Sequence, residues 1–175
     1  MTAPLVVMFV PGVTPGKWAR VWAERMPRQP LELTPASETE AFDALRGSAH
    51  MAFLRNVQAS DDLHVIPLYR EQPVVVAAKG SEIEALPSLE LADLAGFTQV
   101  PGQDAAAVEL VASAGGYAIM PQAVARALSR KDVVARPVLD APDSGIGLAW
   151  PTSATHPLIE TFIGIVRGRT GNSSR

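Results

Sequence analysis

Residues 4–22, PLVVMFVPGVTPGKWARVW, decide the fold class of this protein. Leu5 to Val10 is a continuous apolar run rich in Val, which is typical of a strand buried on both faces of a parallel sheet. Thr14-Pro15-Gly16 then predicts a helix start, with Thr14 at the N-cap and Pro15 at the first helical position. Trp18 and Trp22 are one helical turn apart, so we expect them to pack on the sheet or in a dimer contact. A buried strand that leads directly into a helix indicates an α/β fold.

The same order of strand and helix continues along the chain. Ser37-Glu38-Thr39-Glu40 has the residue types of a capping box, which predicts the start of a second helix. A third strand follows at 51–54, and Asp104 is positioned to cap a later helix that Gly115-Gly116 ends. The patterns also predict strands at 31–33, 63–68, 74–78, 97–100, 117–120, 133–138 and 146–150, a short helix at 89–95, and helices that begin near Pro121 and His156-Pro157.

Composition and charge exclude several classes of protein. The chain of 175 residues is 47% hydrophobic and 19% charged, as in a globular domain, and its net charge is -3. Nucleic-acid binders usually carry a basic excess, so we expect no direct nucleic-acid binding by this chain. Cysteine is absent, which excludes disulfides and thiolate chemistry. The apolar run Leu5–Val10 is too short for a signal peptide or a membrane span, so we expect a cytoplasmic protein without membrane contact.

Several segments resemble, in the same order, the effector-binding (substrate-binding) domain of LysR-type transcriptional regulators, which is similar to type II periplasmic binding proteins. The match covers nearly the whole chain and is more specific for the fold than for the role. The segments are LVVMFVPGVTPGKW (5–18) for the first strand, loop and helix, LRGSAHMAFLR (45–55) for the third strand, HVIPLYREQPVVVAAKG (64–80) for the crossover, LADLAGF (91–97) for the next helix, and VELVASAGGYAIMPQAVA (108–125) for a helix–strand–turn.

The resemblance implies an α/β fold of two Rossmann-like lobes joined by a hinge, with a cleft between them. Lobe I would comprise residues 1–76 and 145–168, and lobe II would be inserted at 77–144. Residues 169–175 would form a frayed tail. The stretch 94–108 is shorter than the family pattern, so we expect a shortened second lobe.

The function that the resemblance implies is the sensing of a small-molecule effector, which we expect to be an anionic metabolite, by a homodimer that needs no cofactor. The family's N-terminal winged helix-turn-helix is missing. The chain is therefore either a part of a longer protein or a stand-alone sensor, and the Met1 start favours the second reading. His50 stands where the family has an acidic residue.

Candidate ligand-binding residues lie at the carboxyl ends of the predicted parallel strands, where α/β sheets bind ligands. Val13 and Thr14 precede a helix N-terminus, which suits an anion, although Thr14 alternatively only caps that helix. Thr34 and Ser37 lie at the next such loop, where Ser37 alternatively is only a cap. Arg55 ends the third strand, and its guanidinium suits a carboxylate; the alternative is a salt bridge.

Two further candidates, Thr98 and Gln99, lie on the predicted strand 97–100, which the resemblance places opposite the first lobe; the alternative is ordinary polarity in a shortened segment. The histidines His50, His64 and His156 lack the spacing of a metal site. We expect neither a metal site nor catalytic residues.

Two other functions remain open from the residues. The first is a dimerisation or interaction protein that has lost its pocket with the shortened segment and modulates a full-length regulator. The second is an enzyme on a binding-protein-like fold, although no nucleophile–base pair or metal cluster is evident in the sequence.

Overall fold

The computed structural model describes residues 2–169, so most of the predicted tail at 169–175 lies outside the described residues. The strands are β1 (Leu5–Phe9), β2 (Leu31–Pro35), β3 (Met51–Arg55), β4 (Leu63–Glu71), β5 (Pro73–Ala78), β6 (Tyr117–Pro121), β7 (Val133–Pro137) and β8 (Ser144–Pro151). The α-helices are α1 (Gly16–Arg25), α2 (Glu38–Ala44), α3 (Ala105–Ala114), α4 (Gln122–Ala127) and α5 (Ile159–Val166). These elements form two compact units: the chain up to Leu68 joins the chain from Ile146 onward, and Tyr69–Gly145 forms the second.

The first unit is built on a five-stranded sheet with the order β2-β1-β3-β8-β4. Strand β1 pairs in parallel with both β2 and β3, while β8 runs antiparallel to β3. The expected parallel arrangement of the first three strands is therefore confirmed. Because β1, β2 and β3 point the same way, the loops that follow them emerge at one edge of the sheet.

An aromatic cluster packs α1 and α5 against this sheet. Trp18 stacks on Phe53 of β3 with ring centroids 4.7 Å apart and planes 7° apart. Phe162 of α5 meets Phe53 edge-on at 6.0 Å and also contacts Trp22. The indole N–H of Trp22 donates to the carbonyl oxygen of Gln29 at 2.8 Å, which satisfies its polar atom. The predicted shared face of Trp18 and Trp22 is thus a sheet-packing face.

The two predicted helix caps have different outcomes. At α2 the capping box is present: the Glu40 N–H donates to Ser37 Oγ, and the Ser37 N–H donates to Glu40 Oε2. At α1 the predicted Thr14 cap is wrong, because the N-cap is Pro15 and no side chain caps the helix. Pro15 itself has φ −80° and ψ 2°, and its carbonyl accepts the N–H groups of Trp18 and Ala19, so the helix begins one residue later than predicted.

The second unit is built on a three-stranded sheet, β6-β5-β7, with both neighbours antiparallel to the central β5. Alternate residues of β5 enter two different apolar clusters. Val74 and Val76 pack with residues of α3 and α4, whereas Val75 and Ala77 pack on the other face with Ile83 and neighbouring side chains. Both faces of β5 are covered, which explains its uninterrupted Val-rich sequence.

Two sequence predictions in this unit are wrong. The stretch 89–95 forms only a 3₁₀ turn at Leu91–Leu94. The Asp93 carboxylate accepts the Glu90 N–H, and side-chain bonds of this kind compete with the backbone hydrogen bonds of a longer helix. The predicted strand 97–100 is reduced to a single bridge between Gln99 and Tyr117. Pro101 follows at once and has no N–H to extend the pairing.

Candidate functional site

Three loops meet at the carboxyl-end edge of the parallel strands in the first unit. They follow β1, β2 and β3, and backbone hydrogen bonds hold them together. The Ala36 N–H donates to the carbonyl oxygen of Phe9 at 3.1 Å, and the Val10 N–H donates to that of Phe53 at 3.3 Å. We call this group of loops the strand-end edge.

Arg55 connects all three loops of the strand-end edge. Its Nη1 donates to Glu38 Oε1 at 2.9 Å, and its Nη2 donates to the carbonyl oxygen of Pro11 at 2.9 Å. Glu38 is the first residue of α2 and Pro11 lies in the loop after β1. A single guanidinium at the end of β3 therefore fixes the distance between the other two loops.

The ion pair between Arg55 and Glu38 is asymmetric in exposure. The Arg55 side chain is 5% exposed, whereas the Glu38 side chain is 53% exposed. A cation that is almost buried needs an anionic or carbonyl partner, because burial without one is costly. Its carboxylate partner, in contrast, is in contact with solvent.

The other predicted residues of the first unit lie at the same edge, but they differ in solvent exposure and in the hydrogen bonds that they already make. Val13 is 4% exposed, its side chain belongs to the apolar core, and its N–H donates to the carbonyl oxygen of Val10 at 3.2 Å. Thr14 and Thr34 are exposed. The hydroxyl of Ser37 accepts the Glu40 N–H as the helix cap.

Thr98 and Gln99 lie in the second unit, where they border β6. The carbonyl oxygen of Thr98 accepts the Tyr117 N–H at 2.9 Å, and Gln99 forms the bridge with the same residue. Gly116 approaches Thr98 so closely that a side chain there would clash with the Thr98 carbonyl oxygen. These contacts make the backbone of this segment part of the β6 packing.

Positive charge at the strand-end edge comes from Arg55 and from the start of α1. The first N–H groups of a helix have no acceptor within it and suit an anion. Lys17 lies in this first turn, with its Nζ 4.7 Å from the centre of the Trp18 ring. At the start of α2, in contrast, side chains of the chain itself accept the N–H groups: the Ser37 N–H donates to the Glu40 carboxylate, and the Glu40 N–H donates to the Ser37 hydroxyl. There the pKa of Glu40 is lowered, chiefly because its carboxylate accepts the Ser37 backbone N–H, and further by the Ser37 hydroxyl.

A cavity of about 1080 Å³ adjoins the Arg55–Glu38 pair between α2 and the segment that follows β3. Its volume is at the upper end of the range for small-molecule sites. Its lining combines apolar side chains with amides, hydroxyls and charges of both signs: Glu38, Thr39, Phe42, Asp43, Leu45, Arg46, Leu54, Arg55, Asn56, Val57, Gln58, Ser60, Asp62, Leu63, Pro151 and Ser153.

Sequence analysis missed every residue of this cavity except Arg55. Phe42 on α2 and Arg46 in the turn after it both line the cavity, and Phe42 is 46% exposed. The apolar pattern marks Phe42 as a core residue, and only the folded chain reveals that it lines a cavity. Asn56, with a positive φ of 54°, makes the turn that starts the opposite wall. Its residue type was the one available signal, because Asn tolerates this conformation better than most residues.

Within residues 2–169, no group of three or more His, Cys, Asp or Glu side chains is arranged to hold a metal ion. Nor does that part of the chain contain a helix long and apolar enough to cross a membrane.

Comparison with solved structures identifies the class of fold. The OxyR regulatory domain (C199D mutant) from Pseudomonas aeruginosa is 20% identical, with a TM-score of 0.73 over 95% of this chain and 97% of that chain. The effector-binding domain of a BenM variant is 14% identical, with a TM-score of 0.79 over 95% of this chain and 97% of that one. Full-length CbnR in complex with its target DNA matches at 16% identity and TM-score 0.74, over 95% of this chain and 70% of that chain. The fold is that of a regulatory domain of the type II periplasmic-binding-protein-like class, as predicted.

The sequence itself gives the family. The family sequence model of the LysR substrate binding domain matches residues 16–104 and 102–171 of this chain. This chain belongs to that family, and the resemblance seen in the sequence is confirmed. No curated protein matches the chain significantly.

Proposed function

We propose that this domain senses a small anionic metabolite, whose carboxylate or similar group binds Arg55 at the strand-end edge. Membership of the LysR substrate-binding family supports a regulatory, ligand-sensing role. The observation that carries the proposal is the asymmetric ion pair: an almost buried guanidinium held by a half-exposed carboxylate. Such a pair presents a cation whose present partner is exchangeable.

The effector's anionic group replaces Glu38 on Nη1 of Arg55, while Nη2 keeps its bond to the Pro11 carbonyl oxygen. Guanidinium–carboxylate bonds are short and charge-assisted, and the fork of Arg suits a planar anion. Lys17 and the N–H groups at the start of α1, together with the exposed hydroxyl of Thr14, complete the charge of the site. An apolar body of the effector would enter the adjoining cavity beside Phe42.

Displacement of Glu38 gives the domain two states that a ligand distinguishes. In the free state Glu38, the first residue of α2, is fixed to the end of β3; in the bound state it is released. A ligand shifts a conformational equilibrium only through such a difference in contacts. Release of the half-exposed carboxylate costs little, because Glu38 is already in contact with solvent and the effector's anionic group takes its place beside the almost buried guanidinium.

We further propose that the functional unit is a cytoplasmic homodimer, as in regulators of this family, and that this chain makes no direct contact with nucleic acid. The net charge of -3 supports the second point, because phosphate binding requires a basic surface. The proposal is tested separately from ligand binding, by analytical ultracentrifugation of the purified chain. A monomer at micromolar concentration would contradict it.

The test of the sensing proposal is a thermal-shift screen of aliphatic and aromatic carboxylates, each paired with its neutral amide. A carboxylate at about one hundred times its Kd stabilises the fold by about 2.7 kcal/mol. For a domain of this length, that raises the Tm by about 5–10 °C. The amide partner is expected to give no shift.

Three variants locate the site for any carboxylate that binds. Arg55→Ala should abolish the shift, and Thr14→Val should reduce it. Glu38→Gln should tighten binding about two- to fivefold, because loss of a competing anion is worth about 0.5–1 kcal/mol. Arg20→Ala is the matched control, since it removes an exposed guanidinium from α1 outside the edge. If Arg55→Ala still shows the Tm shift, the carboxylate binds elsewhere. If no compound raises the Tm, the alternative function, a dimerisation or interaction protein without a pocket, is favoured.

A further inference from the structure

Two histidines meet at the opposite edge of the same sheet, where the strands begin. His50 directly precedes β3 and His156 precedes α5. Their ring centroids are 4.4 Å apart, with an angle of 58° between the planes. Neither ring belongs to the strand-end edge or to its cavity, so the pair requires a separate explanation.

Backbone groups determine the protonation of both rings. The Val6 N–H donates to His50 Nδ1 at 3.0 Å, and the Leu158 N–H donates to His156 Nδ1 at 3.2 Å. A nitrogen that accepts a hydrogen bond carries no proton, so each neutral ring holds its proton on Nε2. His156 Nε2 lies 2.9 Å from the carbonyl oxygen of Ala3, to which that proton is donated.

The pair therefore joins three parts of the chain. Through Val6 and Ala3 it contacts β1 and the residues before it; through His50 it contacts the start of β3; through His156 and Leu158 it contacts the start of α5. A carboxylate at position 50 would also accept the Val6 N–H, but it would not lose this ability near neutral pH.

We propose that His50 and His156 form a proton-operated clasp, which fastens the beginning of β1 to β3 and α5 when the His50 ring is neutral and opens when that ring takes up a proton. Protonation at Nδ1 converts an acceptor into a donor, so that two N–H groups then face each other and the backbone bond is lost.

The pKa of His50 supports this arrangement. It lies below its ordinary value, first because burial disfavours the charged ring and second because of the charge of His156. A lowered pKa in the folded state means that the clasp stabilises the fold above the ordinary value of 6.5 and that this contribution is lost as the pH falls below it. Charged side chains on the surrounding elements include Arg46 after α2, Glu32 on β2 and Glu160 on α5, and all three are exposed.

The clasp is tested by hydrogen exchange of the whole chain, followed by NMR at about pH 7.5 and about pH 5, on either side of the ordinary histidine pKa. The protection factor of the Val6 amide, corrected for the intrinsic rate, should fall by up to about tenfold for each pH unit below the ordinary histidine pKa, because the released His50 ring is then increasingly protonated. In His50→Asn the fall should be much smaller, because Asn Oδ1 takes the place of Nδ1 as an acceptor that does not titrate. His156→Asn keeps the acceptor for Leu158 in the same way.

His64→Asn is the matched control, because the His64 ring contacts Trp150 and not the pair; it should retain the full pH dependence. An equal fall of Val6 protection in His50→Asn and in the unmodified protein would overturn the proposal. Should a variant fail to fold, nitrogen chemical shifts of the unmodified protein at about pH 7.5 decide the matter. The clasp requires both rings in the Nε2–H form, and an Nδ1–H ring or an imidazolium at either position rules it out.

Discussion

The two ends of the parallel strands hold their polar side chains in different ways. At the carboxyl end, the partners of Arg55 include the side chain of Glu38 and the Pro11 carbonyl oxygen. At the amino end, His50 and His156 are held by backbone N–H groups. A side-chain partner can be replaced by a ligand while the backbone stays in place. A ring bonded to the backbone changes its contacts only by gaining a proton, and it loses a backbone bond when it does.

The largest expected effect comes from Phe53, which lies on β3 between the two ends. Phe53 is fully buried, stacks on Trp18 and meets Phe162. Phe53→Ala should lower the free energy of unfolding by about 3–5 kcal/mol, because it leaves a cavity beneath two aromatic rings. Urea denaturation measures the loss. Both ends should respond together, with weaker carboxylate binding and faster exchange at Val6.

Phe42→Ala is the control for Phe53→Ala. Because Phe42 is 46% exposed, its removal should change the free energy of unfolding by about 0.5 kcal/mol or less. Similar losses for the two variants would mean that the aromatic cluster does not join the two ends.

The next largest effect separates the partners of the carboxyl-end ion pair. Arg55→Ala leaves the Pro11 carbonyl oxygen without this donor and should cost about 1–3 kcal/mol. Glu38→Gln keeps an acceptor for Nη1, and the exposed position of Glu38 limits its cost to about 0–1 kcal/mol. Chemical denaturation of both variants without ligand tests this order. A larger loss for Glu38→Gln would mean that the carboxylate is structural and not exchangeable.

A smaller effect distinguishes the starts of α1 and α2. Ser37→Ala removes a side-chain cap and should cost about 1 kcal/mol. Thr14→Ala removes no cap, because none is made there, and should be close to neutral. Thermal unfolding of the two variants is the measurement. Equal losses would indicate that Thr14 does cap α1 in solution.

These two helix starts show how far sequence reasoning reaches. Ser37 and Glu40 form a reciprocal pair, and the residue types alone identify it. Three residues after Thr14 the chain has Lys17, whose side chain cannot accept a hydrogen bond from the backbone N–H of Thr14. Pro15, and not Thr14, is the N-cap residue. A single Ser or Thr before a helix therefore predicts where the helix begins only to within a residue.

The candidate site was predictable only in part. Strand direction can be read from the sequence pattern, whereas the shape of the cavity depends on tertiary packing. The parallel order of β1, β2 and β3 follows from the apolar run of β1 and from the alternation of strands and helices, and it places Thr14, Thr34 and Arg55 at one edge. The position of Phe42 does not follow in this way. An apolar residue on a helix predicts burial, and its exposure depends on what the segment after β3 leaves uncovered, which is a tertiary property.

The smallest expected effect concerns a second acid-sensitive group, the carboxyl of Asp143. It tests whether the histidine clasp, and not surface charge, sets the response of the domain to acid. The pKa of Asp143 is lowered by hydrogen bonds from Arg70. Both side chains of this ion pair are at least half exposed, so salt screens their attraction and little stability depends on it. Because the pKa is lowered, any contribution is present above the ordinary value of 3.8 and is lost only as the pH falls below it.

Acid titration should therefore separate the two groups. Asp143→Asn should change the dependence of Tm on pH only below 3.8 and leave the loss of Tm that begins below pH 6.5 unchanged. His50→Asn should reduce the loss that begins below pH 6.5 and leave the change below 3.8 as it is. Thermal unfolding measured at closely spaced pH values, in low and in high salt, provides the comparison. A change near neutral pH in Asp143→Asn would show that surface charge, and not the histidine pair, sets the acid response of this domain.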